Sequence, residues 1–416
     1  MIKEIVSTKE KKTSLTVTNS EISAVLRSNT QKTGIRIYDN GCLGIAGAIG
    51  AYNEDELTKN AKHMLKFKLP YDCAVTSDMQ RCVDLTGKLD MTDEQFADTS
   101  GKVLEALCEK FPKFMFSHKL NMVETEDSLR NETGTALIQK DKYVELLLLF
   151  KHKESNSLMD GFGAVVCRYM DFDVIMKEMS WQCQVYEEKV DFSEENEKIP
   201  VVLFGTQHEF LMKFLTDLEG NEFGNGASLF SGKTGERLFN DKFSLIVDRN
   251  ADMSFSRFFD GEGTVLSGDR FTLIENGVLK APFTDKRIAG KYGFPTTGSA
   301  SLVFDSAPAA TSASIVPACG DKTLKELLDG RKAIIAVAAS GGDFTPQGEY
   351  ASPIQAAYMF DGENYLGRLP QLSMSSNIYD MFGKDYIGTA PYGSYAGNPF
   401  SYLVVDMNVR KIDTWL

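Results

Sequence analysis

Four histidines occur in the 416-residue sequence, and one of them, His208, is followed by a glutamate, Glu209. In the zinc motif HExxH, two histidines four residues apart bind the metal from one helix face, and the glutamate acts as a general base. Met212 stands where this motif needs its second histidine. The pair therefore fails the motif, and we interpret it as a turn or helix cap. The remaining histidines are predicted to be surface or packing residues: His63, His118 and His152.

Carboxylates on glycine-rich loops are the second group that could do chemistry. The FDGEG segment carries Asp260 and Glu262, and the SGGDFTPQGE segment carries Asp343. Acids on loops often serve as general acids or bases. Most acids beside glycine are nevertheless turn residues. Whether Asp260, Glu262 or Asp343 line a cleft is therefore a question for the structure.

Two glycine-rich segments have some likeness to phosphate-binding loops. The segment Gly41–Gly50 lacks the spacing of a dinucleotide-binding fingerprint. The Gly232-Lys233 pair lacks the upstream glycine of a P-loop, because Ala227 occupies that position. No GxSxG nucleophile elbow stands at a strand-to-helix turn. We interpret both segments as glycine-containing turns.

Composition is typical of a soluble globular protein with two domains. The chain has 416 residues, 43% of them hydrophobic and 25% charged, and is longer than one core normally organises. Its formal net charge of -13 disfavours nucleic acid binding, which depends on Lys and Arg. The opening MIKEIVSTKEKK lacks a signal-peptide core, and the apolar run Leu146–Phe150 is far shorter than the roughly 20 residues of a membrane span. We therefore expect a cytoplasmic protein without membrane contact.

Strand and helix patterns alternate in the first half of the chain. The β-branched segments Ser14–Asn19 and Thr33–Tyr38 are predicted to be strands. A helix is predicted from Asn53, with acidic residues in its first turn. A second helix is predicted after Thr92, because Gln95 completes a capping box and an apolar stripe follows.

An acidic stretch from Tyr186 to Pro200 separates this half from a second part of different character. Beyond it, short apolar runs such as FSLIVD and AIIAVAA alternate with turn signals such as Glu275-Asn276-Gly277. The sequence predicts an α+β fold. It consists of an amino-terminal α/β domain over residues 1–190 and a β-rich sandwich or barrel-like carboxy-terminal domain over residues 196–416.

Several segments, taken in order, resemble the TldD/PmbA family, whose members were once named modulators of DNA gyrase and are related to metallopeptidases. The amino-terminal pieces are SLTVTN, TGIRIY and Arg130–Gly134. The stronger carboxy-terminal pieces are LEG at Leu218–Gly220, SLFSGKTGE at Ser228–Glu236, FDGEG at Phe259–Gly263, LIENGVLK at Leu273–Lys280 and GGDF at Gly341–Phe344. The resemblance implies a peptidase-like carboxy-terminal domain and a role in proteolysis.

The metal-bearing TldD branch of this family has an HExxxH motif shortly before LEG and a late cysteine in a GTC segment. Counted back from LEG, the His, Glu and His positions fall on Leu211, Met212 and Thr216. The GTC segment corresponds to Gly388-Thr389-Ala390, with Ala390 in place of the cysteine. Of these side chains, only that of Thr216 offers an oxygen, and it is a poor metal ligand. The resemblance thus implies that the whole ligand set is missing.

This pattern is similar to the PmbA branch, also called TldE, whose members lack the metal motif and pair with a TldD partner. The resemblance implies a chain that is inactive alone, with no cofactor of its own and with zinc in a TldD-like, metal-bearing partner subunit. Unfolded peptides or small proteins would be the substrate, held as an added strand. A homo- or hetero-oligomer is expected. No catalytic or metal-ligating residue is assigned to this chain, and its peptide-binding residues are unknown from sequence.

Two other hypotheses remain open at this point. The chain could be an autonomous metallopeptidase with a displaced site built from His208, Glu209 and a carboxylate elsewhere. It could also be a non-enzymatic, peptide-binding scaffold protein that has lost the link to proteolysis.

Overall fold

A seven-stranded sheet forms the centre of the amino-terminal part of the chain. The structure, a computed structural model, describes residues 1–193, 198–204, 208–392 and 401–412. The strands of this sheet are β1 (Ile2–Thr18), β2 (Glu21–Asp39), β3 (Cys42–Ile49), β4 (Gln80–Asp84), β5 (Phe114–Asn131), β6 (Ala136–His152) and β7 (Gly161–Cys167). Their order is β3-β2-β1-β5-β6-β4, and β7 also pairs with β6. The β4–β6 pair is parallel and the other pairs are antiparallel.

Three helices accompany this sheet: α1 (Glu54–Met64), α2 (Asp93–Lys110) and α3 (Phe172–Gln184). Asn53 caps α1, and Thr92 and Gln95 form the predicted capping box of α2. Phe96, Leu104 and other apolar residues of α2 pack into one core with β1, β5 and β6. Both helix predictions are therefore confirmed.

The two predicted amino-terminal strands are parts of much longer ones. The segment Ser14–Asn19 covers the end of β1, and Thr33–Tyr38 covers the second half of β2. Outside these two segments the strands continue through polar sequence. In β1, charged side chains of this polar stretch pair with charged side chains of β5. Lys9 lies 2.7 Å from Glu126, and Lys11 lies 3.3 Å from Glu124.

The carboxy-terminal part contains two further sheets. The nine-stranded sheet has the order β14-β15-β18-β20-β8-β13-β16-β17, with β19 paired to β20, and the four-stranded sheet has the order β11-β10-β9-β12. The nine strands are β8 (Lys198–Phe204), β13 (Ala333–Ala338), β14 (Asp343–Phe344), β15 (Glu349–Ile354), β16 (Ala356–Phe360), β17 (Tyr365–Arg368), β18 (Leu372–Asn377), β19 (Tyr386–Pro391) and β20 (Ser401–Lys411). The four are β9 (Leu245–Asp248), β10 (Arg270–Glu275), β11 (Val278–Leu279) and β12 (Ile315–Pro317).

Residues of both sheets meet in one large core, as expected for a β-rich sandwich. Val201 of β8, Val247 of β9 and Leu273 of β10 belong to it. The hairpin of β10 and β11 turns at Asn276 and Gly277, both with positive φ, as the sequence predicted. The short helices of this part are α4 (Met212–Asp217), α5 (Gly220–Gly224), α6 (Lys286–Tyr292), α7 (Leu324–Leu328) and α8 (Ile378–Met381). The predicted α+β class is confirmed.

Contacts between the two parts are extensive. Val6 and Leu129 of the first sheet share a small core with Phe258 and Phe259. On the other side, Trp181 of α3 packs against a core of the nine-stranded sheet. In the described part of the chain, no helix has the length and apolar character needed to cross a membrane.

Candidate functional site

The segment Leu211–Thr216, where the sequence resemblance puts the metal motif, lies in short helical turns. A 3-10 turn spans His208–Leu211, and α4 follows directly. Leu211 is buried in the large core, with 3% of its surface exposed. Met212 is 46% exposed and Thr216 points to solvent. Consecutive positions of the expected motif therefore face different surroundings.

Ala390 does not lie beside Leu211. Ala390 is fully buried in the core that contains Val202, whereas Leu211 belongs to the core that contains Val201. Consecutive strand residues point to opposite faces of a sheet, so the nine-stranded sheet separates these two cores. The structure does not bring together the positions that the sequence register equates with metal ligands.

The acidic residues next to this segment have structural partners. Asp217 accepts a 2.5 Å hydrogen bond from the backbone N–H of Leu229 and lies 2.8 Å from Lys213. Glu219 caps α5 by accepting from the backbone N–H groups of Asn221 and Glu222. The Asp217–Leu229 hydrogen bond fixes LEG against SLFSGKTGE.

An aromatic cluster explains why the SLFSGKTGE segment sits where it does. Phe214 of α4 packs against Phe230, with 5.8 Å between ring centroids, and against Phe382 at 4.7 Å. Gly232 and Gly235 have φ of 75° and 88°, the left-handed region that glycine adopts readily. The turn interpretation is therefore confirmed for this segment. It was wrong for most of Gly41–Gly50, because Cys42–Ile49 form strand β3.

Asp260 of FDGEG is a buried turn residue. It is fully buried and accepts hydrogen bonds from the backbone N–H groups of Glu262, Thr264 and Ala300, at 2.8 to 3.0 Å. Both carboxylate oxygens are thereby used to hold its own loop and a neighbouring one. Asp260 does not line a cleft.

Glu262 occupies an enclosed polar position between the two parts of the chain. It is 4% exposed and accepts hydrogen bonds from the Tyr71 hydroxyl and from the backbone N–H of Lys286. Burial, with the negative charge of Asp260 close by, raises the pKa of the Glu262 carboxyl to about 7. A carboxyl of this kind can exchange a proton near neutral pH.

Arg36 connects β2 to the FDGEG loop. Its guanidinium is fully buried and donates to Glu4 at 3.2 Å, to the Gly261 carbonyl at 2.5 Å and to the Val303 carbonyl at 3.1 Å. Glu4 also accepts from the Tyr38 hydroxyl at 3.0 Å. The FDGEG segment therefore joins the two parts of the chain, a role that sequence spacing gave no means to detect.

Glu209 and Asp343 lie near the same tyrosine, Tyr350. Burial raises the pKa of Tyr350 to about 12, and the nearby charges of Glu209 and Asp343 contribute. One carboxylate oxygen of Glu209 is buried without a hydrogen-bond partner among the described residues. Asp343 is exposed at the start of β14. The side chain of His208 lies outside the described residues, so its place relative to this pair is not defined.

Within the described ranges, no three His, Cys, Asp or Glu side chains form a group that could hold a metal ion. Two of the other histidines occupy packing or surface positions. His152 stacks on Tyr186 with 5.4 Å between ring centroids, and His63 is exposed on α1.

A cleft of about 620 Å³ lies between the two parts of the chain. One wall contains Asp160 and Phe162, and the other contains Gln355, Arg368 and Gln371. Charged and amide side chains of both parts thus face one space, which has room for a segment of extended peptide.

Comparison with known proteins relates this architecture to one family. Residues 196–390 match the family model described as the PmbA/TldA metallopeptidase C-terminal domain. The curated relatives include an uncharacterized protein and a metalloprotease of Methanocaldococcus jannaschii, 29% and 26% identical over 159 and 160 residues. The matched regions cover 37% and 38% of this chain, and 36% and 35% of the two relatives. Only about a third of each relative is therefore matched.

The fold as a whole is similar to a solved structure. The crystal structure of TldE from Thermococcus kodakarensis superimposes with a TM-score of 0.78 and 18% identity, covering 98% of this chain and 96% of that chain. At this identity the likeness concerns the fold. Residues 196–390, just under half of the chain, thus match the carboxy-terminal domain of the PmbA/TldA metallopeptidases, and the resemblance seen in the sequence is confirmed for this domain.

Proposed function

We propose that this chain is a PmbA/TldE-like subunit of a TldD/PmbA-type metallopeptidase that acts on unfolded peptides or small proteins. The observation that carries the proposal concerns the positions that the sequence resemblance aligns with the family's metal ligands. It is which residues occupy these positions and where those residues lie. Leu211 and Ala390 have no donor atom in their side chains and are buried in separate cores. Met212 offers only a neutral thioether sulfur, which is not among the usual zinc ligands. The zinc would be held by a TldD-like partner subunit.

The contribution of this chain would be to complete a substrate-binding cavity. The cleft between its two parts supports this role, because it is open, about 620 Å³ in volume and lined by the ends of β13, β16 and β17. β17 is an edge strand of the nine-stranded sheet, and the backbone groups of an edge strand can pair with an extended peptide without reading its sequence. Asp160 and Arg368 place opposite charges in this cleft.

The test combines the purified chain with a TldD-like protein from the same cell. We expect no stoichiometric zinc in this chain by elemental analysis, no cleavage of an unfolded peptide by it alone, and cleavage once the partner is added. The TldD-like protein alone is the control. One tightly held zinc per chain would overturn the proposal. Association of the two proteins without any cleavage would favour a non-enzymatic scaffold.

A second candidate is an autonomous metallopeptidase with a displaced site at His208 and Glu209. The buried, unpartnered carboxylate oxygen of Glu209 beside Tyr350 favours it. The substitution His208→Ala distinguishes the candidates, with His63→Ala on the exposed face of α1 as the matched control. Loss of both bound metal and proteolysis in His208→Ala alone would support the second candidate over the first.

A further inference from the structure

A second cavity, of about 490 Å³, lies between α3, the start of α7 and the edge of the nine-stranded sheet. Several of the residues that line it are aromatic. The Trp181 ring stacks on the Tyr365 ring with 4.0 Å between centroids and 18° between planes, and the Tyr392 and Tyr402 rings lie 4.8 Å apart. Such ring faces carry partial negative charge and attract cations.

A buried carboxylate also lines this cavity. Glu178 of α3 is 4% exposed and accepts a hydrogen bond from the Tyr392 hydroxyl. Its negative charge adds to the burial that raises the pKa of Tyr365 to about 12. Tyr365 and Tyr402, whose pKa values are both raised by burial, are therefore neutral at physiological pH.

Glu178 has no salt bridge to any basic side chain within the described residues. The two lysines that line the cavity do not supply one: Lys325 is paired with Glu363, and Lys177 is exposed next to Glu178 on the helix. A buried carboxylate without a positive partner is costly, and proteins normally pair such groups. A cationic ligand would supply the missing charge.

We propose that this cavity binds the basic side chain of a peptide, with its ammonium or guanidinium group against Glu178 and its aliphatic stem along the aromatic lining to which Trp181 and Tyr365 contribute. The aromatic walls suit the stem and the cation together, because ring faces attract positive charge while their carbon surface packs against methylene groups. The chain by itself would bind this side chain, and the binding needs neither a metal nor proteolysis.

The probe is Nα-acetyl-lysine amide, whose side-chain ammonium group is free. It is compared with Nα-acetyl-norleucine amide, which has an alkyl side chain without the ammonium group. Trp181 is a built-in reporter, and Trp415→Phe removes the other tryptophan of the chain. We expect a saturable change in Trp181 fluorescence with the lysine compound, and binding at least about tenfold weaker with the norleucine compound. Calorimetry of the same pairs gives a second measurement that does not depend on the fluorophore.

Two variants test the residues that define the cavity. Glu178→Gln keeps the hydrogen-bonding shape but removes the charge, so the preference for lysine over norleucine should disappear. Tyr365→Leu should weaken binding of both compounds. Glu105→Gln, which changes an exposed acid of α2 outside the cavity, is the control that should leave binding unchanged. Equal binding of lysine and norleucine compounds, an unaffected Glu178→Gln variant, or no saturable binding by either method would overturn the proposal.

Discussion

At the scale of single residues, the structure gives structural positions to acids that the sequence presented as candidates for chemistry. Asp260 holds its own loop, and Glu262 lies enclosed between Tyr71 and the start of α6. The FDGEG motif was recognisable in the sequence, whereas its position at the junction was not. The partners of Glu262 come from residues 71 and 286, and no local pattern links these distant positions.

Glu262 makes a prediction about pH. Its pKa is raised from 4.5 to about 7, so the folded chain binds a proton there that the unfolded chain has lost. Stability from this group is therefore full below about pH 4.5 and is lost as pH rises to about 7, by up to about 3 kcal/mol. Glu262→Gln mimics the protonated form and should gain stability relative to the parent chain across this range.

The measurement is the free energy of unfolding in urea at several pH values between 5 and 8, for the parent chain and for Glu262→Gln. Asp343→Asn, which changes an exposed acid in the same way, is the control and should show a much smaller trend. A difference between Glu262→Gln and the parent chain that stays constant with pH would contradict the account.

At the scale of elements, the caps and apolar stripes of α1 and α2 were predictable because they are local. The lengths of β1 and β2 were not. Their central stretches lack apolar alternation, and ion pairs such as Lys9–Glu126 join β1 to a strand more than a hundred residues away. The separation of Leu211 from Ala390 by the nine-stranded sheet also depends on strand order, which spacing along the chain does not reveal.

The glycines of β3 give a test at this scale. A Cβ atom on Gly44 would lie 2.1 Å from the backbone carbonyl oxygen of Ala61, so β3 and α1 pack too closely for a side chain. Gly44→Ala should lower the free energy of unfolding by about 2 kcal/mol or more, since overpacking forces backbone shifts.

The matched control is Gly101→Ala in α2, where a Cβ atom would meet nothing within 4 Å. That substitution should stabilise the chain by about 0.5 to 1 kcal/mol, because alanine favours the helix. Thermal or urea unfolding of both variants measures the two effects. Equal effects of the same sign would show that close packing of β3 on α1 is not the reason for Gly44.

At the scale of the whole molecule, buried polar contacts join the two parts of the chain. Arg36 of β2 reaches the carbonyl groups of Gly261 and Val303 while paired with Glu4. Removing one member of a buried ion pair leaves the other charge uncompensated, at a cost of about 3 to 5 kcal/mol. Arg36→Ala should lower the unfolding free energy by this amount.

Arg130→Ala is the surface control for this prediction. The Arg130 side chain is 62% exposed and lies 3.2 Å from Glu54, an exposed pair of the kind that contributes about 1 kcal/mol or less. Urea unfolding of the two variants compares them directly. If both lose the same small amount, Arg36 does not hold the two parts together.

The family relationship leads to one central claim, that this chain supports a metal site in a partner and has none of its own. The most direct measurement is the zinc content of the purified chain by elemental analysis, taken alone and again in complex with a TldD-like partner from the same cell. We expect far less than one zinc per chain in the isolated protein. In the complex we expect one zinc per partner subunit. One zinc per chain in the isolated protein, lost in His208→Ala, would contradict the claim.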